Sequence, residues 1–225
     1  MALLREEDVA KLREIFDERL KGDVTLVHYT QVASKLIVPG AAICPACEDT
    51  RQLLEELAAT SEHISLEIHD FGAEVDELAK VGITEIPATI VNGKGFEGRV
   101  RYFGVPSGYE FASLIEDIID AGSGVTDLAP ETETALTGLS KDVHILVFVT
   151  PTCPYCPSAV RMAHKFAMVS DRVVGDMIEA NEFPELSQRY NVMAVPKIVI
   201  NETTSFEGAV PEAAFLEKVL EAVAK

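Results

Sequence analysis

The cysteines constrain this 225-residue chain more than any other feature, because all four of them fall into two Cys-x-x-Cys pairs. The pairs are Cys44/Cys47 and Cys153/Cys156. The shift in residue number that carries the first pair onto the second also carries one X-Pro step, further along the chain, onto another. An internal repeat of this kind predicts two copies of one folding unit in tandem.

Each half of the repeat shows the same order of hydrophobic patterns. An amphipathic helix comes first, then a β-branched strand, the cysteine pair at the start of a second helix, and a strand followed by a short helix. An X-Pro step then leads into a strand, a turn, a further strand and a closing helix. Apart from the helices after the cysteines and at the end of each half, the elements are predicted at 6–21, 24–29, 64–68, 74–81 and 86–91 in the first half, and at 131–139, 143–149, 173–178, 184–190 and 195–200 in the second.

Alternating strands and helices predict parallel strand pairs joined by right-handed crossovers. The turn at Asn92-Gly93 predicts that the last two strands of the first half form a hairpin. The chain is therefore predicted to be an α/β protein of two tandem domains, 1–122 and 123–225, each a four-stranded mixed sheet flanked by helices. Gly122-Ser123-Gly124 is the predicted linker between them.

The spacing of the cysteines indicates redox or metal chemistry, because structural disulfide frameworks normally join distant segments. At a helix N-terminus, unpaired backbone N–H groups and the helix dipole favour thiolate over thiol. We therefore assign Cys44 and Cys153 as nucleophiles. Cys47 and Cys156, one helical turn later, are assigned as the resolving thiols that release the product.

A proline follows the first cysteine of each pair. Pro45 and Pro154 are predicted at the first helical position, where a missing N–H costs nothing and φ is already set. A rigid residue at this point would also hold the two sulfurs at bonding distance.

A Cys₄ zinc site is the alternative interpretation of two Cys-x-x-Cys pairs. The pairs of such sites are commonly separated by about 15–20 residues, whereas about a hundred residues of repeated sequence intervene here. We therefore predict no metal ligands and no cofactor beyond the cysteines, and keep zinc binding as an alternative.

The charge balance argues against some partners. The chain has 37 acidic and 19 basic residues and a net charge of −18, so it should be repelled by nucleic acid and by anionic membrane surfaces. No apolar run approaches the roughly 20 residues of a spanning helix, and the N-terminus lacks the apolar region of a secretory signal. We expect a cytoplasmic protein with neither nucleic acid nor membrane as partner.

Three segments carry a resemblance to known redox proteins. They are VFVT at 147–150, CPYCPSA at 153–159 and VPKIVIN at 195–201. The Cys-Pro-Tyr-Cys motif with its later Val-Pro is similar to the glutaredoxin and thioredoxin pattern. The whole chain resembles the protein disulfide oxidoreductases, found mainly in thermophiles, which join two thioredoxin folds in one chain.

The resemblance implies two thioredoxin-like domains and several functional positions. Pro87 and Pro196 should follow cis peptide bonds beside the sulfurs, and Ile86 and Val195 should offer their backbones to a substrate chain. Pro45, Pro154 and Tyr155 would support the two sites. The implied activity is the reduction, oxidation and isomerisation of protein or peptide disulfides. The implied electron donor is a flavoprotein resembling thioredoxin reductase.

Two features separate this sequence from thioredoxin. The strand position six residues before the first cysteine, where thioredoxins bury an Asp, is Val147 in the second half and has no clear equivalent in the first, and the chain has no Trp. Glu85 near Cys44 would raise the pKa of that thiol, so we predict that the second pair is the stronger oxidant. An electron relay to a peroxidase is an alternative function, although such tandem proteins usually keep one active pair.

Overall fold

The computed structural model describes residues 2–31 and 44–224. Within these ranges the helices and strands alternate in the predicted order. The helices are α1 Glu6–Arg19, α2 Cys47–Ala58, α3 Phe71–Lys80, α4 Tyr109–Ser123, α5 Pro130–Thr137, α6 Cys156–Val169, α7 Pro184–Arg189 and α8 Glu212–Ala224. The strands are β1 Val24–Thr30, β2 Ile64–Asp70, β3 Ala88–Gly93, β4 Phe96–Phe103, β5 Val143–Val149, β6 Val173–Glu179, β7 Lys197–Ile200 and β8 Thr204–Glu207.

The eight strands form one continuous sheet in the order β2-β1-β3-β4-β6-β5-β7-β8. Each half supplies four adjacent strands, with one parallel and two antiparallel pairings, which confirms the predicted mixed sheets. The sequence did not predict the join between them. There, β4 of the first half pairs in parallel with β6 of the second, from Val100 opposite Gly175 to Phe103 opposite Ile178.

Helices cover both faces of this sheet. One face packs against α3 and α7 through Leu78, Phe183 and Leu186. The opposite face carries the larger apolar core, to which α1, α2, α4, α5, α6 and α8 all contribute. That core runs without interruption from Leu12 in the first half to Phe215 in the second. The two halves therefore bury their apolar side chains together.

Buried ion pairs reinforce the join on both faces. Arg101 on β4 lies opposite Asp176 on β6, and its Nε donates to a carboxylate oxygen at 2.6 Å. Both side chains are almost completely buried. On the other face, α4 packs beside α6, and Asp117 of α4 accepts hydrogen bonds from Arg161 and contacts His164. Loss of one member of such a pair leaves an uncompensated buried charge, so these contacts fix how the halves fit together.

The segment predicted as a linker is the end of a helix. Gly122 and Ser123 are the last two residues of α4, and Gly124 caps it in the left-handed conformation with φ of 67°. A glycine in that conformation is the usual way to end a helix, which is the physical reason for the motif. The division at 122/123 therefore falls within the last turn of α4 and stays a prediction.

Candidate active sites

The two cysteine pairs lie at one edge of the sheet and on one of its faces. Each follows the strand at the centre of its half, β1 or β5, and these strands run in the same direction. The helices that carry the second cysteines, α2 and α6, both pack on the face with the larger core. Four strand spacings separate β1 from β5, which puts these two strands about 19 Å apart across the sheet.

In the first site, Cys44 and Cys47 form a disulfide with Cα atoms 5.4 Å apart. Cys44 is partly exposed, whereas Cys47 is only 3% exposed. Gln31, at the end of β1, contacts both residues. Its backbone N–H donates to Cys47 Sγ at 3.4 Å, and its side-chain oxygen accepts from the Cys44 N–H at 3.0 Å. The more accessible sulfur is thus the one assigned as nucleophile.

In the second site, Cys153 and Cys156 form a disulfide with Cα atoms 5.5 Å apart. Both are buried, and Cys156 is the deeper of the two. The backbone N–H of Cys156, the first residue of α6, donates to Cys153 Sγ at 3.1 Å. A hydrogen bond of this kind favours the anionic form of sulfur. It therefore supports the assignment of Cys153 as a nucleophile.

The positions predicted for Pro45 and Pro154 are wrong. The helices begin at the second cysteine of each pair, and Ala46 and Tyr155 are their N-caps. Both prolines lie in the turn directly before the helix. In the second site it is Pro157, within the first turn of α6, that has the N-terminal helical position.

The loops before β3 and β7 have matching geometry. The Ile86–Pro87 and Val195–Pro196 peptide bonds are both cis, as the resemblance implied. The carbonyl of Pro87 accepts from the Gly104 N–H at 2.9 Å, and that of Pro196 accepts from the Gly208 N–H at 2.8 Å.

The residue before each of these prolines keeps its backbone available. Ile86 and Val195 are half-buried, and their N–H and C=O groups form no hydrogen bond with the other residues that the structure describes. Beside the second site, Tyr155 and Met193 expose 69% and 81% of their surface. Free backbone groups next to exposed apolar side chains are suited to binding an extended polypeptide.

A buried carboxyl group beside the second site was missed by the sequence analysis. Glu110 in the first turn of α4 is 1% exposed, its Oε2 accepts from Ser113 at 2.7 Å, and its Oε1 is buried without a partner among the described residues. Burial raises its pKa to about 7. Tertiary packing of α4 buries this side chain, so no local pattern could have identified it.

Glu110 lies level with the start of α6 because the two helices run side by side in the same direction. The Tyr109 N–H donates to the Pro151 carbonyl at 3.1 Å, just before Cys153. Two turns further on, Asp117 meets His164. A carboxyl group of the first half thus lies near the cysteine turn of the second half. The second site has no carboxyl group at Val147 on its own strand, because the valine side chain is apolar.

Glu85 lies beside the other half of the chain. Partial burial and the charge of Glu185 on α7 raise its pKa. It precedes the Ile86–Pro87 bond by one residue. Its predicted effect on Cys44, and the order of the two reduction potentials, stay predictions.

The separation of the sites bears on the zinc alternative. A single zinc ion needs four sulfurs within about 2.3 Å of the metal, and the two pairs are four strand spacings apart. They cannot share one ion in this fold. Across residues 2–31 and 44–224, no three side chains of His, Cys, Asp or Glu are grouped as metal ligands, and none of the helices there has the length and apolarity to cross a membrane.

Each half places a disulfide at the start of a helix, facing a proline loop at the edge of a mixed sheet. This arrangement, present twice, defines a tandem thioredoxin-fold protein. Sequence comparison agrees, since a family model described as thioredoxin domain matches residues 35–116 and 143–221. The chain belongs to this family.

Similar structures cover nearly the whole chain. A protein disulfide oxidoreductase from Aeropyrum pernix is 29% identical, with a TM-score of 0.85 over 98% of this chain and 94% of that one. This confirms the resemblance stated from the motifs. The alkyl hydroperoxide reductase protein AhpF of Enterococcus faecalis has the same fold, with a TM-score of 0.83 over 96% of this chain and 99% of that one, at 24% identity.

Among curated proteins, the chain is similar to the corresponding alkyl hydroperoxide reductase protein, AhpF, of Staphylococcus epidermidis. The two are 26% identical over 153 residues, which is 68% of this chain and 27% of the relative. The chain therefore spans about a quarter of the length of that relative.

Proposed function

We propose that this chain is a thiol–disulfide oxidoreductase that acts on protein or peptide disulfides and dithiols through two independent sites. The observation that carries the proposal is the repeated arrangement of a more accessible cysteine, a deeper partner cysteine and a proline loop with a free backbone edge. The Aeropyrum pernix protein disulfide oxidoreductase, similar over almost the full length, supports it. A cytoplasmic location and a flavoprotein electron donor belong to the same proposal.

The chemistry at each site is two successive sulfur exchanges. In the first site, the Cys44 thiolate attacks a substrate disulfide, forms a mixed disulfide and releases one substrate sulfur as a thiolate. The Cys47 thiolate then attacks the Cys44 sulfur, closes the Cys44–Cys47 bond and releases the second substrate sulfur. Two electrons pass from the cysteine pair to the substrate. The reverse sequence oxidises a substrate dithiol, and Cys153 and Cys156 do the same in the second site.

The four strand spacings between β1 and β5, about 19 Å, limit how the sites cooperate. Sulfur exchange needs the atoms in contact, so the two pairs do not exchange directly while the sheet is intact. Because both sites open at the same edge and on the same face, one unfolded substrate can reach both. This geometry favours isomerisation of one bound chain over electron transfer from pair to pair.

The first test is a redox titration of single-site variants. The full chain would be compared with Cys44→Ser/Cys47→Ser and Cys153→Ser/Cys156→Ser in dithiothreitol buffers, with thiols trapped by alkylation and located by peptide mass. We expect each remaining pair to close as a local disulfide and each variant to reduce insulin. Thiols that stay reduced throughout, with zinc bound to the pairs, would refute the proposal.

A second candidate function is an electron relay that reduces a peroxidase. It is favoured by one observation, the similarity to the alkyl hydroperoxide reductase protein AhpF. The test offers the reduced chain a thiol peroxidase in its disulfide form and, separately, insulin. A relay would reduce the peroxidase far faster, and only one of the two single-site variants would retain that rate. Comparable rates on both substrates would favour the general oxidoreductase.

A further inference from the structure

The two sites differ at one buried position that neither the cysteines nor the proline loops explain. Tyr29 of β1 pairs with Ala88, the residue after Pro87, and Phe148 of β5 pairs with Lys197, the residue after Pro196. The strand position just before the aromatic residue is therefore equivalent in the two halves. It is Val147 in the second half and His28 in the first. The strand register thus identifies His28 as the residue of the first half that corresponds to Val147, which the sequence alone did not do.

His28 is completely buried, and only one of its two ring nitrogens has a hydrogen-bond partner among the described residues. Nδ1 lies 3.0 Å from the Thr89 hydroxyl on β3. Nε2 is buried and has no hydrogen-bond partner among the described residues. An unpaired buried polar atom destabilises the folded state, and such an atom in a folded protein calls for an explanation. The equivalent pair in the second half, Val147 and Ile198, is entirely apolar.

The ring lies on the face of β1 that α2 covers. Side chains alternate along a strand, so His28 shares a face with Leu26, whose side chain packs in the core with Leu54 and Leu57 of α2. The first turns of α2 lie over this end of β1, since the Gln31 N–H contacts Cys47 Sγ and Arg51 acts on the imidazole. The buried sulfur and the unpaired nitrogen therefore belong to the same enclosed region.

We propose that His28 accepts the proton of Cys47 when the first site resolves its mixed disulfide, an inference that rests on the proposed oxidoreductase function. Cys47 is 3% exposed, and burial raises the pKa of a thiol, so it does not ionise readily without an acceptor. With Nδ1 donating to Thr89, Nε2 carries the free lone pair.

The step balances in atoms and charge. The Cys47 proton moves to Nε2, the thiolate attacks the Cys44 sulfur, the Cys44–Cys47 bond forms and the bond from Cys44 to the substrate breaks. The departing substrate thiolate recovers a proton from the imidazolium or from water. The substrate sulfurs gain the two electrons that the cysteine pair loses.

Burial keeps the imidazole of His28 neutral until that moment. Burial lowers the pKa of His28 to about 4, opposed by the Ala88 carbonyl and assisted by the positive charge of Arg51. On β3 the ring contacts the uncharged Thr89. On α2 the charged groups are Arg51, whose charge acts on the ring, and its ion-pair partners Glu48 and Glu55. The thiolate formed at Cys47 adds a buried negative charge in this region and so stabilises the imidazolium.

The test isolates the resolving step. In the full chain with Cys153→Ser and Cys156→Ser, the reduced first site reacts with oxidised glutathione, and the mixed disulfide on Cys44 is followed by quenched-flow alkylation and mass. His28→Val, which copies the second site, should leave capture by Cys44 unchanged and slow resolution at pH 7 by about tenfold or more. The difference should shrink as the pH rises above about 8.5, the pKa of a free thiol, because a growing fraction of the buried Cys47 thiol then ionises without an acceptor.

Thr89→Val provides a milder variant that removes only the hydroxyl orienting the ring. We expect slower resolution with the same pH signature but a smaller effect, and this variant decides the question if His28→Val does not fold. Resolution within about twofold of the parent at pH 7 in a folded variant would overturn the role of His28. If the parent itself forms no mixed disulfide, the proposed function fails at this site instead, so the two failures are distinct.

Discussion

Replacing Glu110 by Gln should remove a loss of stability that the wild type shows as the pH rises from about 4.5 to about 7. Glu110 is 1% exposed, and burial raises its pKa from 4.5 to about 7. Between these values the folded chain binds a proton that the unfolded chain has lost, so stability falls as the pH rises from about 4.5 to about 7 and stays lower above it. At about 1.4 kcal/mol per pKa unit, the wild type loses about 3 kcal/mol over this window. Gln stays neutral and keeps an oxygen to accept from Ser113.

The assay is thermal or urea unfolding of the wild type and Glu110→Gln between pH 5 and 8.5. The variant should gain on the wild type as the pH rises, by about 6–12 °C in melting temperature for a chain of this size. Glu116→Gln on the same helix is the control. Its pKa is lowered by the hydrogen bond from Arg19, so this variant should gain no such advantage at high pH. A stability gap between wild type and Glu110→Gln that is the same at pH 5 and pH 8 would refute the reasoning.

Two further substitutions test the join and the second site. Arg101→Met leaves Asp176 buried with its main partner gone and should cost about 3–5 kcal/mol in urea unfolding at pH 7. Gly108→Ala should slow alkylation of reduced Cys153 but leave Cys44 unaffected, because Gly108 has φ of 62° and an added Cβ would lie 2.2 Å from the Pro151 carbonyl oxygen.

Each of these variants has a matched control. Arg189→Met breaks a pair with Glu202 that is 61% exposed on both sides, so its cost should be about 0–1 kcal/mol. Gly95→Ala imposes a similar backbone strain at φ of 89° with nothing within 4 Å of the added Cβ. If Arg101→Met is no worse than Arg189→Met, the join does not depend on its buried charges. If Gly95→Ala slows Cys153 as much as Gly108→Ala does, the contact with Pro151 is irrelevant.

Local signals predicted most of the fold. The strand 143–149 coincides with β5, and each X-Pro step precedes a strand as expected. The helix starts at the cysteines were displaced, because a proline after a cysteine suits a turn as well as a first helical position. A shift of two residues, from Pro45 to Cys47 and from Pro154 to Cys156, is about half a helical turn and leaves the hydrophobic periodicity of the helix unchanged.

What the sequence could not supply depends on contacts between distant residues. The pairing of β4 with β6 places Arg101 opposite Asp176, 75 residues further on. Glu110 looks like an ordinary acidic residue in the first turn of a helix until α6 covers it. His28 lies within a β-branched run, and only the register against β3 shows that it occupies the place of Val147. Pairing between distant segments has no signature in local pattern.

The pairing of β4 with β6 also affects how readily the protein associates with other chains in the cell. Either half alone would expose the edge of β4 or β6 that is now paired over four residues, and its free amides and carbonyls could pair with a strand of another chain. Because the two repeats lie in one polypeptide, each repeat pairs with the strand edge that the other would otherwise leave unpaired. The outer strands of the described sheet are then β2 and the four-residue β8. A gene cut between the two repeats should therefore yield fragments prone to associate with themselves or with each other.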